Sequence, residues 1–331
     1  MGVDLGGTRV RAGAVTVDGR LTAQTEVLTE PTRGSAAVLD TVQEAIARLA
    51  GSLDRLTAIG VAAAGLIHPD TGAVVAAPNL GWRGVPLAAI LAARFGVPVS
   101  VENDVRAAAW GEFRFGVHRA RSLIAVFVGT GIGSGVILDG ALWSGSGNSA
   151  GELGHTQVVP DGLPCPCGGH GCLEQYASGA GVQRRLRAAL ADGARTALGD
   201  ETGGDAAALT VDMLAAAANS GDELARRLWT ELRRYFTLAV ANYVTLLNPE
   251  LLILGGGVMD NVPELFDDVT GGVLLATTIL ARDSLRIEHA RLGDWGGVLG
   301  AADLAAHGGP EMALKPPDVR AAAAEPRRPS S

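Results

Sequence analysis

The residues best suited to chemistry gather in one stretch, GELGHTQVVPDGLPCPCGGHGCLEQYASG, residues 151–179. Its three thiols, Cys165, Cys167 and Cys172, lie within eight residues. That spacing cannot frame a disulfide-stapled domain, and an odd count leaves one thiol over, so the cluster points to a metal in a reducing compartment. Three thiolates and one imidazole complete a closed tetrahedral zinc site, which leaves no position for water and makes the metal structural. On chemistry alone, His155 and His170 both qualify as the fourth ligand. If it is His155, one ring nitrogen is taken by metal and the other must be an N–H donor, free to meet a substrate hydroxyl. Glu152 lies three residues before His155, and Glu174 two after Cys172. The metal would hold these carboxylates near one another, and carboxylates beside an imidazole donor suit a polyhydroxy ligand. As isolated acids, either would be surface charge.

A second kind of chemistry is written in glycine. In Asp4-Leu5-Gly6-Gly7-Thr8, a glycine pair after a strand lets backbone amides approach phosphate oxygens, and Thr8 adds a hydroxyl donor. An ordinary hairpin turn would explain that pentapeptide by itself. A second loop, Gly129-Thr130-Gly131-Ile132-Gly133, and a glycine run at Gly255–Gly257 favour a nucleotide gripped at successive points. A dinucleotide fingerprint would open a helix, whereas the residues after Gly7 alternate like a strand. Asp4 can orient Mg²⁺ through water, or serve as a turn carboxylate. Glu102-Asn103-Asp104 follows a strand and begins the helical pattern VRAAAWGEF, so Asn103 or Asp104 caps that helix. A carboxylate held at a helix N-terminus can also accept a proton from an attacking hydroxyl.

Composition narrows the classes. Lys315 is the only lysine among 27 basic residues, which excludes P-loop NTPases, protein kinases, Schiff-base aldolases and pyridoxal enzymes, each of which places a lysine at the chemistry. A net charge of −8 argues against a general nucleic-acid binder, which needs clustered basic residues. Met1 and Gly2 lead straight into a strand, so no signal peptide is expected. The most apolar stretch, Phe236 to Leu254, contains Asn242, Asn248, Pro249 and Glu250 and does not read as a membrane span. The expected location is the cytoplasm.

These residues need a scaffold, and 331 residues suggest two lobes. Residues 2–19 read as strand, glycine turn, strand and an Asp18-Gly19 hairpin turn. Residues 122–142 echo them, ending on Asp139-Gly140, and two such halves suggest related α/β lobes with a cleft between. Helical spacing marks residues 35–50 and about 87–95, and strands are expected at Leu56–Ala64 and Val97–Val101. A glycine–proline-rich region runs to Gly84. Residues 180–222 read as helices with a polar interruption at Gly199–Asp205. A long helix follows over Leu224–Leu247, with Leu228, Leu232, Tyr235, Leu238, Ala239, Asn242 and Leu246 on one side and Asn248-Pro249 as its stop. LLILGGGV reads as a buried strand, residues 297–307 as a last helix, and the tail from Pro310 to Ser331 as disordered.

At these residues the chain resembles the ROK family (repressor, open reading frame, kinase), particularly its bacterial glucokinases. The resemblance spans about residues 2–305 and rests on DLGGT, ENDVRAAAWGE, FVGTGIGSGVILDG, GELGH, CPCGGHGCLEQYASG and ILGGGV, in order. It implies a duplicated actin-like, ribonuclease-H-like α/β fold: a small lobe over 1–105 completed by the C-terminal helix, and a large lobe over 106–296. It implies transfer of the γ-phosphoryl of MgATP to a hexose hydroxyl, O6 of glucose. Asp104 would be the base, and Gly65, Asn79, Asn103, Glu152, His155 and Glu174 would hold the sugar. Asp4, Gly6, Gly7, Thr8, Thr130, Gly131 and Gly133 would serve the phosphates and Mg²⁺, and Gly256 and Gly257 the adenosine side. His155, Cys165, Cys167 and Cys172 would bind zinc, with His170 at a variable place in the motif. A homodimer or homotetramer is the family expectation.

Two departures stand out. Only three residues precede Asp4, so either the start codon is assigned too far downstream or the first strand is frayed, and Arg9 stands where a lysine often follows the threonine. The family's repressors carry a helix-turn-helix unit before the kinase-like body, and nothing here precedes Asp4 to serve as one. A catalytically silent sugar sensor is a further alternative, against which Asp104 and both glycine–threonine loops argue. N-acetylglucosamine, N-acetylmannosamine and mannose are alternative acceptors, and polyphosphate an alternative donor.

Overall fold

The computed structural model describes residues 1–116 and 118–307; the expectation for the tail lies outside them. The chain opens with β1 (Gly2–Leu5), β2 (Arg9–Val15), β3 (Leu21–Leu28), α1 (Ser35–Ala50) and β4 (Ile59–Ala63). Three short strands follow, β5 (Leu66–Ile67), β6 (Val74–Ala77) and β7 (Trp82–Val85), then α2 (Leu87–Phe95), β8 (Val99–Asn103) and α3 (Asp104–Phe115). The first sheet has the order β3-β2-β1-β4-β8. Its alternation explains both faces. Val3, Leu5, Val61 and Ala63 join the core under α1, with Val38, Val42 and Ile46. Gly2, Asp4, Gly60 and Ala62 lie at the alternate positions.

The second half begins with β9 (Leu123–Val128), β10 (Ile132–Leu138) and β11 (Ala141–Leu142). After the cysteine loop come α4 (Glu174–Ala177), α5 (Gly179–Ala191), α6 (Ala197–Glu201), α7 (Val211–Asn219) and α8 (Glu223–Leu247). The chain closes with β12 (Leu251–Gly255), α9 (Gly257–Asn261), α10 (Pro263–Ala276), α11 (Ile279–Ser284), β13 (Arg286–His289) and α12 (Gly296–Ala306). The second sheet has the order β11-β10-β9-β12-β13. In each sheet the first three strands are antiparallel and the last two add in parallel, so the echo between the halves is a shared topology. One face packs Val126, Leu252 and Leu254 against Leu228, Leu232 and Phe236. The other packs Leu123, Ala125 and Ile253 against Ala109 and Trp110 of α3 and Leu304 of α12.

The helix pair α3 and α12 therefore lies between the two sheets, and glycine lets it come close. A Cβ at Gly60 would stand 1.8 Å from the Ala301 carbonyl oxygen, and one at Gly300 would stand 1.8 Å from that of Ala107. On the other side, Gly135 of β10 leaves room for the Ala109 methyl. The two chain crossings between the sheets are tied together beside this pair. Glu112 Oε1 accepts from the Arg291 and Leu292 amides at 2.7 and 2.8 Å. The His118 ring faces Glu112 at 3.1 Å through Nε2 and Glu288 at 3.0 Å through Nδ1.

Several expectations need correction. The glycine–proline-rich region holds a three-stranded sheet, β5-β6-β7, whose strands are too short to show periodicity. The first strand is paired on both sides along its length rather than frayed. Strand β8 runs two residues later than expected, which makes Asn103 its last residue. Helix α6 occupies part of the stretch read as an interruption, leaving Thr202–Asp205 as the break. On α8 the buried face runs through Leu224, Leu228, Leu232, Phe236, Val240 and Val244, whereas Leu238 and Leu246 are exposed and Asn242 faces solvent. A straight helix of 25 residues drifts away from any face marked by a few leucines. No helix among the described residues is long and apolar enough to cross a membrane.

Candidate active site

The junction of β8 and α3 sets the central carboxylate. Asn103 ends the strand in extended conformation and caps the helix, its Oδ1 accepting from the Val105 and Arg106 amides, both at 3.1 Å. Its Nδ2 donates to Asp104 Oδ1 at 2.9 Å and lies 3.4 Å from the Gly65 carbonyl. Asp104 is thus oriented by its neighbour, and among the described residues no side chain bonds to its second oxygen. Burial pushes its carboxyl above the usual range, the Val105 amide opposes this, and the charge of Glu152 adds to it. Beneath it, buried Glu102 accepts from the Asn103 amide at 2.7 Å and pairs with buried Arg106. Arg106 reaches Asn148, whose amide donates to the Ile67 carbonyl at 3.0 Å. Sequence reasoning missed Arg106 and Asn148. The Glu102/Arg106 pair of opposite charges across a strand-to-helix junction was the available signal; for Asn148 there was none.

Asp4 lies on the face of β1 turned to α12, beside Gly297. Burial raises its carboxyl to about 7, the charges of Asp104 and Asp294 push the same way, and Arg11 pulls down. Arg11 Nη1 is 3.9 Å from Asp4, while its other nitrogens hold Glu26 and Asp294 at 2.7 and 2.6 Å. A group of acidic residues so incompletely neutralised is a setting a divalent cation fits. Arg11 and Asp294 escaped sequence reasoning because 283 residues separate them.

The glycine loops differ in role. Gly7 sits against Asn79, with an added Cβ 3.2 Å from that of Asn79, so the DLGGT turn and the Asn79 segment adjoin. Thr8 and Thr130 are exposed, and Gly6 and Gly131 are half-buried. At Gly133 the space a side chain would fill belongs to Val105 of α3, so this glycine serves helix packing. Gly256 has φ of +89° and would place a Cβ 2.5 Å from the Val128 carbonyl oxygen; it turns the chain from β12 into α9. Gly257 is open on its outer side. Gly65 passes so close to β6 that a Cβ would lie 2.5 Å from the Ala76 carbonyl oxygen.

The thiol cluster assembles as the spacing suggested. One ligand atom each from His155, Cys165, Cys167 and Cys172 lies within 4.8 Å of the others. His155 Nδ1 is 3.7 Å from Cys165 Sγ, and Cys167 Sγ is 3.7 Å from Cys172 Sγ. A tetrahedral centre with metal–sulfur bonds of about 2.3 Å sets its ligand atoms about 3.7 Å apart, so the donors fit zinc. His170 stands outside the group, and its carbonyl accepts from Gln157 at 3.2 Å. Burial and the neighbouring thiols raise Cys172 to about 12, so three thiolates need a cation between them. Gln175 donates to Cys165 Sγ at 3.3 Å and accepts from Arg184 at 3.0 Å, a support that sequence reasoning did not find. The other His155 nitrogen, Nε2, points toward Glu152 at 4.0 Å. Glu174 Oε2 accepts from the Ile132 amide at 2.9 Å.

Two sheets of one topology, clasping a helix pair and carrying an aspartate and glycine turns along the gap, define the duplicated, two-lobed actin-like ATPase class. A family model described as the ROK family matches residues 1–307. The glucokinase of Streptomyces coelicolor is 36% identical over 94% of this chain and 99% of its own length. A solved ROK family glucokinase from Streptomyces griseus, in complex with glucose and AMPPNP, is 36% identical, covers 92% of this chain and 98% of its own, and has a TM-score of 0.76. A xylose repressor from Caldicellulosiruptor bescii is 31% identical over 80% of this chain and 66% of its own length. The chain belongs to the ROK family.

Proposed function

We infer that the protein is an ATP-dependent hexose kinase that phosphorylates glucose at O6. The observation that carries this is the placement of Asp104: a single carboxyl at a helix start, oriented by Asn103 and raised by burial, within the electrostatic reach of both Asp4 and Glu152. The sugar side is Gly65, Asn79, Asn103, Glu152, His155 and Glu174. The phosphate side is Asp4 with the loops at Gly6–Thr8 and Thr130–Gly131, and Gly256 and Gly257 take the adenosine end. The lobes divide near residue 105, with α12 returning to complete the first. Exposed Leu246, Leu275, Ile279 and Leu280 on α8, α10 and α11 support a homodimer or homotetramer.

Positioning and charge neutralisation dominate phosphoryl transfer, so the lack of an active-site lysine is no obstacle. Asp104 takes the proton of the sugar hydroxyl as that oxygen bonds to the γ-phosphorus and the bond to the β-phosphate oxygen breaks, releasing ADP. Asn103 fixes the rotamer of the base. Backbone amides of the glycine turns meet the phosphate oxygens, and Asp4 would hold the accompanying cation. Mg²⁺, when bound, neutralises phosphate charge. His155, Cys165, Cys167 and Cys172 would hold zinc, which would brace a loop with little apolar core of its own, and His155 would then offer its Nε2–H to the sugar. Closure of the lobes excludes water and limits hydrolysis.

A coupled assay over glucose, mannose, N-acetylglucosamine and N-acetylmannosamine, each with ATP and with polyphosphate, tests this reading. Glucose with ATP should give the highest kcat/KM. Faster turnover of an N-acetylated sugar, or of polyphosphate, would overturn the assignment of acceptor or donor.

A further inference from the structure

The metal loop and the phosphate-facing loop are joined directly. Cys172 is followed by Leu173 and then Glu174, which begins α4. The Glu174 carboxylate accepts from the Ile132 amide at 2.9 Å. It packs against Gly131, where a Cβ would stand 2.5 Å from Glu174 Oε2 and displace the carboxylate. Just beyond α4, the Gly179 amide donates to the Gly129 carbonyl at 2.9 Å and the Ala180 amide to the Thr130 carbonyl at 3.1 Å. All three bonds fall on residues 129–132, and Glu174 supplies the one made by a side chain. A buried amide left without an acceptor is costly, and a bond to an ionised group is stronger than a neutral one.

We propose that Glu174 is a positioning residue for the phosphate-facing loop: its carboxylate holds the Ile132 amide and so carries the order of the metal loop into the turn that meets nucleotide. This deepens the kinase reading and rests on it for the identity of the ligand. Glu174 then serves both substrates, one oxygen being committed to the loop before any sugar arrives. The Gly131–Glu174 packing also gives a physical reason for glycine at that position, separate from close approach to phosphate.

The test uses the full chain without sugar. Amide hydrogen exchange at Ile132 and MgAMPPNP affinity by titration calorimetry are measured for wild type, Glu174→Ala and Glu174→Gln, with metal content determined on the same samples. The alanine variant should exchange the Ile132 amide roughly tenfold faster and bind MgAMPPNP roughly tenfold more weakly, as loss of one charge-assisted bond predicts. The glutamine variant, whose carbonyl can still accept, should restore most of both, with the metal-to-chain ratio unchanged throughout. Wild-type exchange and wild-type nucleotide affinity in Glu174→Ala would overturn the proposal and leave Glu174 a sugar ligand alone. A wild-type protein that binds no MgAMPPNP would instead refute the kinase reading, and the exchange measurement would still decide the loop.

Discussion

Asp4 offers a measurement in which function and stability pull in opposite directions. Its carboxyl stands at about 7 in the folded protein against an ordinary value of 3.8. A carboxyl raised on folding contributes stability that is complete below the unfolded value and is lost as pH climbs through the folded one. The shift corresponds to about 4 kcal/mol of penalty carried by the ionised form at pH 8.5. Asp4→Asn keeps the shape and removes the charge, and Arg11 keeps Glu26 and Asp294 as partners. The variant should therefore match wild type near pH 4 and exceed it by about 2–4 kcal/mol at pH 8.5, with the gap opening between those limits. Urea unfolding of the ligand-free protein at several pH values reads this directly, and the same variant should lose most of its MgATP turnover. A variant no more stable than wild type at pH 8.5, or one whose advantage is equally large at pH 4, would refute the claim that an uncompensated charge waits at this position.

Other consequences are open to test. Asp104→Asn should leave metal content and sugar affinity close to normal while lowering kcat by roughly 10²–10⁴-fold, the usual contribution of a general base; near-normal turnover in a coupled assay would remove Asp104 from that role. Cys167→Ser should lose metal and glucose affinity together, which metal analysis beside a glucose titration will show. Gly300→Ala places a methyl 1.8 Å from the Ala107 carbonyl oxygen, so it should destabilise by about 2–3 kcal/mol and lower the melting temperature by several degrees.

Much of this architecture was legible because it is carried by local rules. The Asn103 cap, the alternation in β1 and β4, and the thiol spacing are each decided by neighbours within a few residues. The topological repeat showed through as two glycine-punctuated hairpins, although few residues are shared. What stayed hidden depends on distant partners. Gly133 looks like a phosphate-loop glycine until α3 is seen to occupy its free side. Arg106, Asn148 and Ile67 come from three separate segments, and no spacing announces their contact. The choice between His155 and His170 was likewise beyond ligand chemistry: the loop brings His155 within 4.8 Å of the thiols, while His170 lies at a bridge to Pro164 and outside the group.

The glycine seat of α12 has a consequence for biosynthesis. Gly2 and Gly60 present bare backbone to Val298 and Ala301, so β1 and β4 have only Asp4 and Ala62 with which to cover that face themselves. Until residues 296–306 leave the ribosome, those strands wait half-dressed, for roughly ten to forty seconds at ordinary elongation rates. The later-made half can mature around its own helices in the meantime. The first-translated sheet is thus among the last parts to be finished, and a nascent chain stalled before α12 is the species on which chaperones would be expected to act.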